Sequence, residues 1–139
     1  MTKMTAQLRK ELIEAARQAN KKSYAPYSRY YVGAAILTEA GHIYSGCNVE
    51  NASYGMTICA ERNAIAKAIS EEGEGMRLVA TAIVNRHEGE CSPCGACRQV
   101  ISEFGERSMV IYKAGTEWVD TPLYTLLPGT FDLPSPEKN

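Results

Sequence analysis

The sequence predicts a single α/β domain with helices on the faces of a central mixed sheet, and three observations predict it. The chain has 139 residues, about one domain's worth and enough to bury a core without disulfide support. Its hydrophobic periodicity runs α-β-β-α-β-α-β, an order that packs a sheet between helices and joins its parallel parts by right-handed crossovers. Residues 78–84 are apolar throughout apart from Thr81, the pattern of a strand covered on both faces.

Leu8, Leu12, Ala15, Ala16 and Ala19 form one helical stripe with Lys and Arg opposite, which predicts a first helix over residues 5–22. Pro26, within Tyr24-Ala25-Pro26-Tyr27-Ser28, breaks it, because proline biases the preceding residue towards extended geometry. Residues 32–38 and 42–46 read as two strands joined through Glu39-Ala40-Gly41, a glycine-bearing connection that suits a hairpin. A polar loop over 48–56 leads to Thr57 as the expected N-cap of a second helix, with Ile58, Ile65 and Ile69 on one face and Gly73 as its stop. Strand three, 78–84, is followed by a loop over 85–93. Cys97, Val100, Ile101 and Phe104 share a face of the third helix, which Gly105 stops. Residues 109–113 and 118–120 read as strands and 123–127 as a short helix. The domain is placed at residues 1–133, with a Pro-bearing tail over 134–139.

Hydrophobic residues make up 45% of the chain and charged residues 22%, which excludes wholesale disorder and a collagen-like or coiled-coil chain. Lys plus Arg is 15 and Asp plus Glu 16, a formal charge of −1. No basic run breaks that balance, so a nucleic acid polymer is not expected as a partner. Residues 1–22 lack the apolar core of a signal peptide and no stretch approaches a membrane span, so the chain is expected in the cytoplasm with no membrane partner. Five cysteines is an odd count. In a reducing compartment, metal binding or catalysis explains clustered thiols better than a disulfide framework does.

Cys94-Gly95-Ala96-Cys97 opens the third helix, and Cys59 stands at the start of the second with Glu61 two residues beyond. Both helices follow loops at strand ends, where ligands bind in open α/β sheets. Two adjacent helix N-termini can bring three thiols together, and their unpaired N–H groups and dipoles favour the metal-binding thiolate. Soft thiolates in a tetrahedral array select zinc over magnesium or calcium. Four protein ligands close a structural site, whereas three leave a position for water, whose pKa falls to about 7 on the metal. Three thiolates outweigh one zinc ion, so positive charge is needed nearby; Arg62 and the helix N-termini can supply it. Glu61 is not needed as a ligand and is placed to move protons. Other readings stay open at this point: a redox Cys-x-x-Cys pair, a closed four-thiolate zinc recruiting Cys91 or Cys47, and an iron–sulfur spacing at Cys91, Cys94 and Cys97 that lacks its fourth cysteine and proline. Cys47, ending an apolar strand, reads as a small core residue.

Cys59-Ala60-Glu61-Arg62 followed by Pro93-Cys94-Gly95-Ala96-Cys97-Arg98 resembles the zinc signature of the cytidine deaminase family in its three-cysteine form. The resemblance extends through Tyr24-Ala25-Pro26-Tyr27-Ser28, Gly46-Cys47-Asn48-Val49-Glu50-Asn51-Ala52 and Leu126-Leu127-Pro128-Gly129, nearly the whole chain to about Leu133. It implies a three-layer α-β-α sandwich on a central mixed five-stranded sheet. It further implies one zinc ion per chain held by Cys59, Cys94 and Cys97, with Glu61 as proton shuttle. By the same resemblance, the backbone N–H of Ala60 would bond the pyrimidine 2-oxo group, and Asn48 and Glu50 the ribose hydroxyls. Tyr30 stands where the family commonly has Phe near the base, and its hydroxyl needs a partner. Phe131 resembles the aromatic that reaches a neighbouring subunit's site, and Tyr54 stands where the family can approach an adjacent subunit. Asn63 departs from the Thr frequent after the Arg and is expected to matter little to the chemistry.

The implied activity is hydrolytic deamination of cytidine and deoxycytidine in pyrimidine salvage, by a homotetramer acting on a small nucleoside. The alternatives are a deaminase of a modified cytosine nucleoside such as blasticidin S, which would differ around the sugar-binding loop, and a non-catalytic zinc module, which would need a fourth ligand and no Glu61. A polynucleotide deaminase would need a basic track that the sequence does not carry.

Overall fold

The computed structural model describes residues 2–135; of the tail expected over 134–139, residues 136–139 lie outside the described residues. Thr5 caps helix α1 (Ala6–Ala19), its hydroxyl accepting from the N–H of Leu8 at 3.1 Å, and a single 3-10 turn over Asn20–Lys22 finishes the predicted segment. Strands β1 (Val32–Thr38) and β2 (Ile43–Cys47) form the expected antiparallel hairpin, with Gly41 at φ +90° supplying the left-handed turn residue. Helix α2 (Ala60–Glu72) ends at Gly73, and β3 (Leu78–Asn85) enters the centre of the sheet. Helix α3 (Gly95–Gly105) links β3 to the parallel strand β4 (Met109–Ala114), and β5 (Glu117–Pro122) pairs antiparallel before the short α4 (Leu123–Leu126).

The strand order β2-β1-β3-β4-β5 makes a five-stranded mixed sheet, and side-chain alternation along β1 sorts the layers. Ala35 and Leu37 pack on Leu12, Ile13 and Ala16 of α1, while Ala34 and Ile36 pack on the other face with Ala60, Ala64 and Ile65 of α2 and Ile101 of α3. The result is the expected three-layer α-β-α sandwich. Both strand–helix contacts are unusually close, and glycine permits them. A Cβ on Gly33 would run into the carbonyl of Ala16, and one on Gly46 would lie 2.6 Å from the backbone N of Ala64 and 2.9 Å from the carbonyl of Ala60.

One local expectation is corrected, and one residue takes a structural role. Thr57 does not cap α2. Its hydroxyl instead accepts from the N–H of Asn51 at 3.2 Å, and Ile58 pairs with Val49 as an extended bridge, so the chain stays extended as far as Cys59, which takes the cap position. Ile58 is therefore outside the helix and partly exposed. Asn63 matters structurally: its amide donates to the carbonyl of Cys47 at 2.8 Å and ties α2 to the end of β2.

Gly46 therefore sets where α2 can lie. Gly46→Ala should destabilise the protein by about 1–3 kcal/mol through overpacking against backbone that cannot yield, measured as a lower urea midpoint with unchanged m-value; an unchanged midpoint would contradict the close packing.

Candidate active site

Cys59 and Cys94 are the N-caps of α2 and α3, both extended (φ −72°, ψ 156° and φ −67°, ψ 166°), and neither side chain makes a capping hydrogen bond. The two thiols are thus not spent on capping the helices that they open, and the N-cap side chain makes no bond to the N–H of Ala60. Cys97, on the first turn of α3, is fully buried. The sulfurs of Cys59, Cys94 and Cys97 lie within 4.8 Å of one another, and those of Cys59 and Cys94 are 3.9 Å apart. A tetrahedral ion with Zn–S bonds of about 2.3 Å needs sulfurs roughly 3.8 Å apart, so the three thiols fit one zinc ion. Among the described residues the group contains no fourth ligand. Cys47 and Cys91 lie outside it, so an ion held here would have three thiolate ligands, with its fourth position free for water.

The electrostatics suit the same reading. Cys59 is pushed down to about 5, first by a hydrogen bond from the thiol of Cys97 and then, against the cost of burial, by the guanidinium of Arg62, whose Nη2 lies 3.4 Å from its sulfur. The thiol of Cys97 is pushed up in turn, because it supplies that proton and is buried near Glu61. Zinc uptake must therefore release a proton from Cys97. The Nη2 of Arg62 also donates to the carbonyl of Thr57 at 3.5 Å, and its Nε is buried with no hydrogen-bond partner. Glu61 is 4% exposed, and burial pushes its carboxyl up to about 6, into the range where both protonation states are populated near neutrality.

Beside the thiols lies a cavity of about 180 Å³ whose wall includes Tyr30, Asn48, Cys59, Ala60, Glu61 and Cys91. Asn48 is buried and bridges backbone: its Oδ1 accepts from the N–H of Val32 at 3.0 Å and its Nδ2 donates to the carbonyl of Tyr30 at 2.7 Å. Glu50 lines an adjoining cleft with Tyr27, Ser28, Tyr54 and Thr57, and Thr57 borders both spaces. The Glu50 carboxylate accepts from the N–H groups of Tyr27 and Ser28 at 3.0 and 3.1 Å and from the Ser28 hydroxyl, which holds it below the usual carboxylate range. Tyr54 stands 76% exposed, edge-on to Tyr27. Phe131 is 70% exposed and does not line this cavity; it borders a larger one of about 600 Å³ beside Phe104 and Arg107 that contains none of the three thiols. Chemistry, not volume, picks out the smaller cavity.

Sequence reasoning did not assign Thr57, Asn85, Cys91 or the Tyr27–Ser28 turn to the site. The turn was legible as part of a shared motif, but its work of holding Glu50 depends on a contact between residues 22 and 23 positions apart.

Residues 6–113 match the family described as "Cytidine and deoxycytidylate deaminase zinc-binding region". A cytidine deaminase of Sporosarcina psychrophila is 48% identical over 124 residues, covering 87% of this chain and 89% of its own length. The crystal structure of a cytidine deaminase from Burkholderia pseudomallei superposes with a TM-score of 0.79 at 44% identity, covering 92% of this chain and all of the other. A blasticidin-S deaminase of Bacillus cereus is more distant, 32% identical over 85% of this chain and 88% of its own.

The thiol triad sets a simple metal test. Purified protein should carry one zinc per chain by elemental analysis, and Cys97→Ala, left with two ligands, should lose nearly all of it; full retention by the variant would contradict the site.

Proposed function

This chain belongs to the cytidine and deoxycytidylate deaminase family, and we propose that it hydrolyses the C4–amine bond of cytidine and deoxycytidine, giving uridine and deoxyuridine with release of ammonia. One observation carries the reading: a three-thiol centre with an open position and a buried carboxyl, Glu61, share the wall of one base-sized cavity. Cys59, Cys94 and Cys97 would hold zinc, which would supply Lewis acidity and acidify a bound water. Glu61 handles the protons. An oxygen–carbon bond forms at C4 as one water proton passes to ring N3; the second goes to the amine as the C4–nitrogen bond breaks. A carboxyl near 6 can take and give each proton in turn. Arg62 offsets the thiolate charge from 3.4 Å.

Substrate binding follows from the same cavity. The N–H of Ala60 receives the 2-oxo group, Asn48 offers its remaining amide hydrogen to the ribose, and Glu50, prefixed by Tyr27 and Ser28, accepts from a ribose hydroxyl in the adjoining cleft. Tyr30 forms the wall beside the base. Tyr54 and Phe131, large aromatics left exposed on one chain, complete the sites of neighbouring copies in a homotetramer. Residues 1–133 form the catalytic unit. The five free thiols suit a reducing cytoplasm, and the reaction suits salvage of pyrimidine nucleosides.

An ultraviolet assay on the zinc-loaded protein, with cytidine, deoxycytidine and blasticidin S side by side, tests the activity. Glu61→Gln should keep its zinc and lose about 10²–10⁴-fold in kcat; a fully active variant, or a protein that consumes only blasticidin S, would overturn the proposal. For the assembly, light scattering should give four chains, and Phe131→Ala should lower kcat/KM by completing each site less well; a monomer with full activity would refute it.

A further inference from the structure

Tyr30 is 47% exposed, yet it is one of the most constrained side chains of the site. Its backbone is held from both sides, the N–H donating to Ser28 Oγ at 3.0 Å and the carbonyl accepting from Asn48 Nδ2 at 2.7 Å. Arg29 before it adopts φ +57°, the left-handed region, so the chain turns sharply to present the ring. At the far end, the hydroxyl donates to Cys91 Sγ at 3.4 Å and accepts from Asn85 Nδ2 at 3.2 Å.

Those two partners are themselves anchored. Asn85 ends β3 and is buried; its Oδ1 accepts from the N–H of Gly89 at 2.8 Å. Cys91 is buried and its N–H donates to the carbonyl of Lys113 on β4 at 3.2 Å. Tyr30 and Cys91 both line the cavity beside the thiols, and neither belongs to the metal group. Neither moves a proton in the proposed reaction. In a cavity of about 180 Å³, a ring free to swing would change the space offered to the pyrimidine.

We propose that Cys91 and Asn85 are positioning residues that pin the Tyr30 hydroxyl, so that this tether sets how tightly the pyrimidine is held rather than how fast it reacts. The inference deepens the proposed function and rests on it. Losing a tether of one or two hydrogen bonds should weaken binding by about 3- to 10-fold. Because both residues act through one contact, their effects should not multiply.

The experiment is a double-mutant cycle on zinc-loaded protein with Tyr30→Phe, Cys91→Val, the double variant and Cys91→Ser, each checked for zinc content and circular dichroism. Cytidine kinetics and uridine affinity by calorimetry are both read. Each single variant should raise the cytidine KM and the uridine Kd by about 3- to 10-fold with kcat within about two-fold. The double variant should be no worse than the weaker single one, and Cys91→Ser, which returns an acceptor, should recover most of the loss. Unchanged KM and Kd, effects that multiply, or a fall in kcat alone would overturn the tether. A wild-type protein that binds uridine without consuming cytidine would defeat the proposed reaction, while the uridine affinities would still judge the tether.

Discussion

Three sulfur atoms within 4.8 Å of one another, contributed by two helices that follow different strands, are the constraint on which the site depends. Cys59 arrives after the β1–β2 hairpin and Cys94 and Cys97 after β3, so the thiols meet because β1 pairs with β3, Val32 opposite Asn85. β2 lies along the other edge of β1, Cys47 opposite Gly33, so the ends of β2 and β3 flank the start of β1 about two strand spacings of 4.8 Å apart, and α2 and α3, which follow those ends, bring their N-terminal thiols together. The close packing of α2 on Gly46 and the amide bond from Asn63 to Cys47 then fix the position of the helix that carries Cys59 and Glu61.

Charge explains why these side chains and not others surround the thiols. Negative sulfur needs compensation, and it comes from Arg62 and from two helix N-termini whose N–H groups have no side-chain caps. Burial, with a smaller contribution from the negative charge of Cys59, raises the carboxyl of Glu61. A carboxylate in open water at this place would stay ionised at neutral pH and would return protons poorly. Burial of Glu61 and convergence of the thiols are therefore one arrangement with two chemical consequences.

Much of this was legible in the chain itself. The hydrophobic run at 78–84 announces the central strand, and the Cys-x-x-Cys, Cys59 and Glu61 announce the metal chemistry, because both signals are local in sequence. The start of α2 was less legible: Thr57 has the chemistry of a cap, but its hydroxyl is engaged by Asn51 and the metal-facing thiol takes the cap position. The role of Asn63 and the tether among Tyr30, Asn85 and Cys91 were not legible, since each depends on contacts between residues far apart in sequence. The hydroxyl of Tyr30 was visible as a group in need of a partner; sequence separations of 55 and 61 positions hid which partners it finds.

The most direct test is X-ray absorption at the zinc edge of the protein as purified. Three sulfur neighbours at about 2.3 Å and one lighter neighbour at about 2.0 Å are predicted, the signature of three thiolates with an open fourth position. Four sulfur neighbours would contradict it, because a closed centre leaves no place for the reacting water.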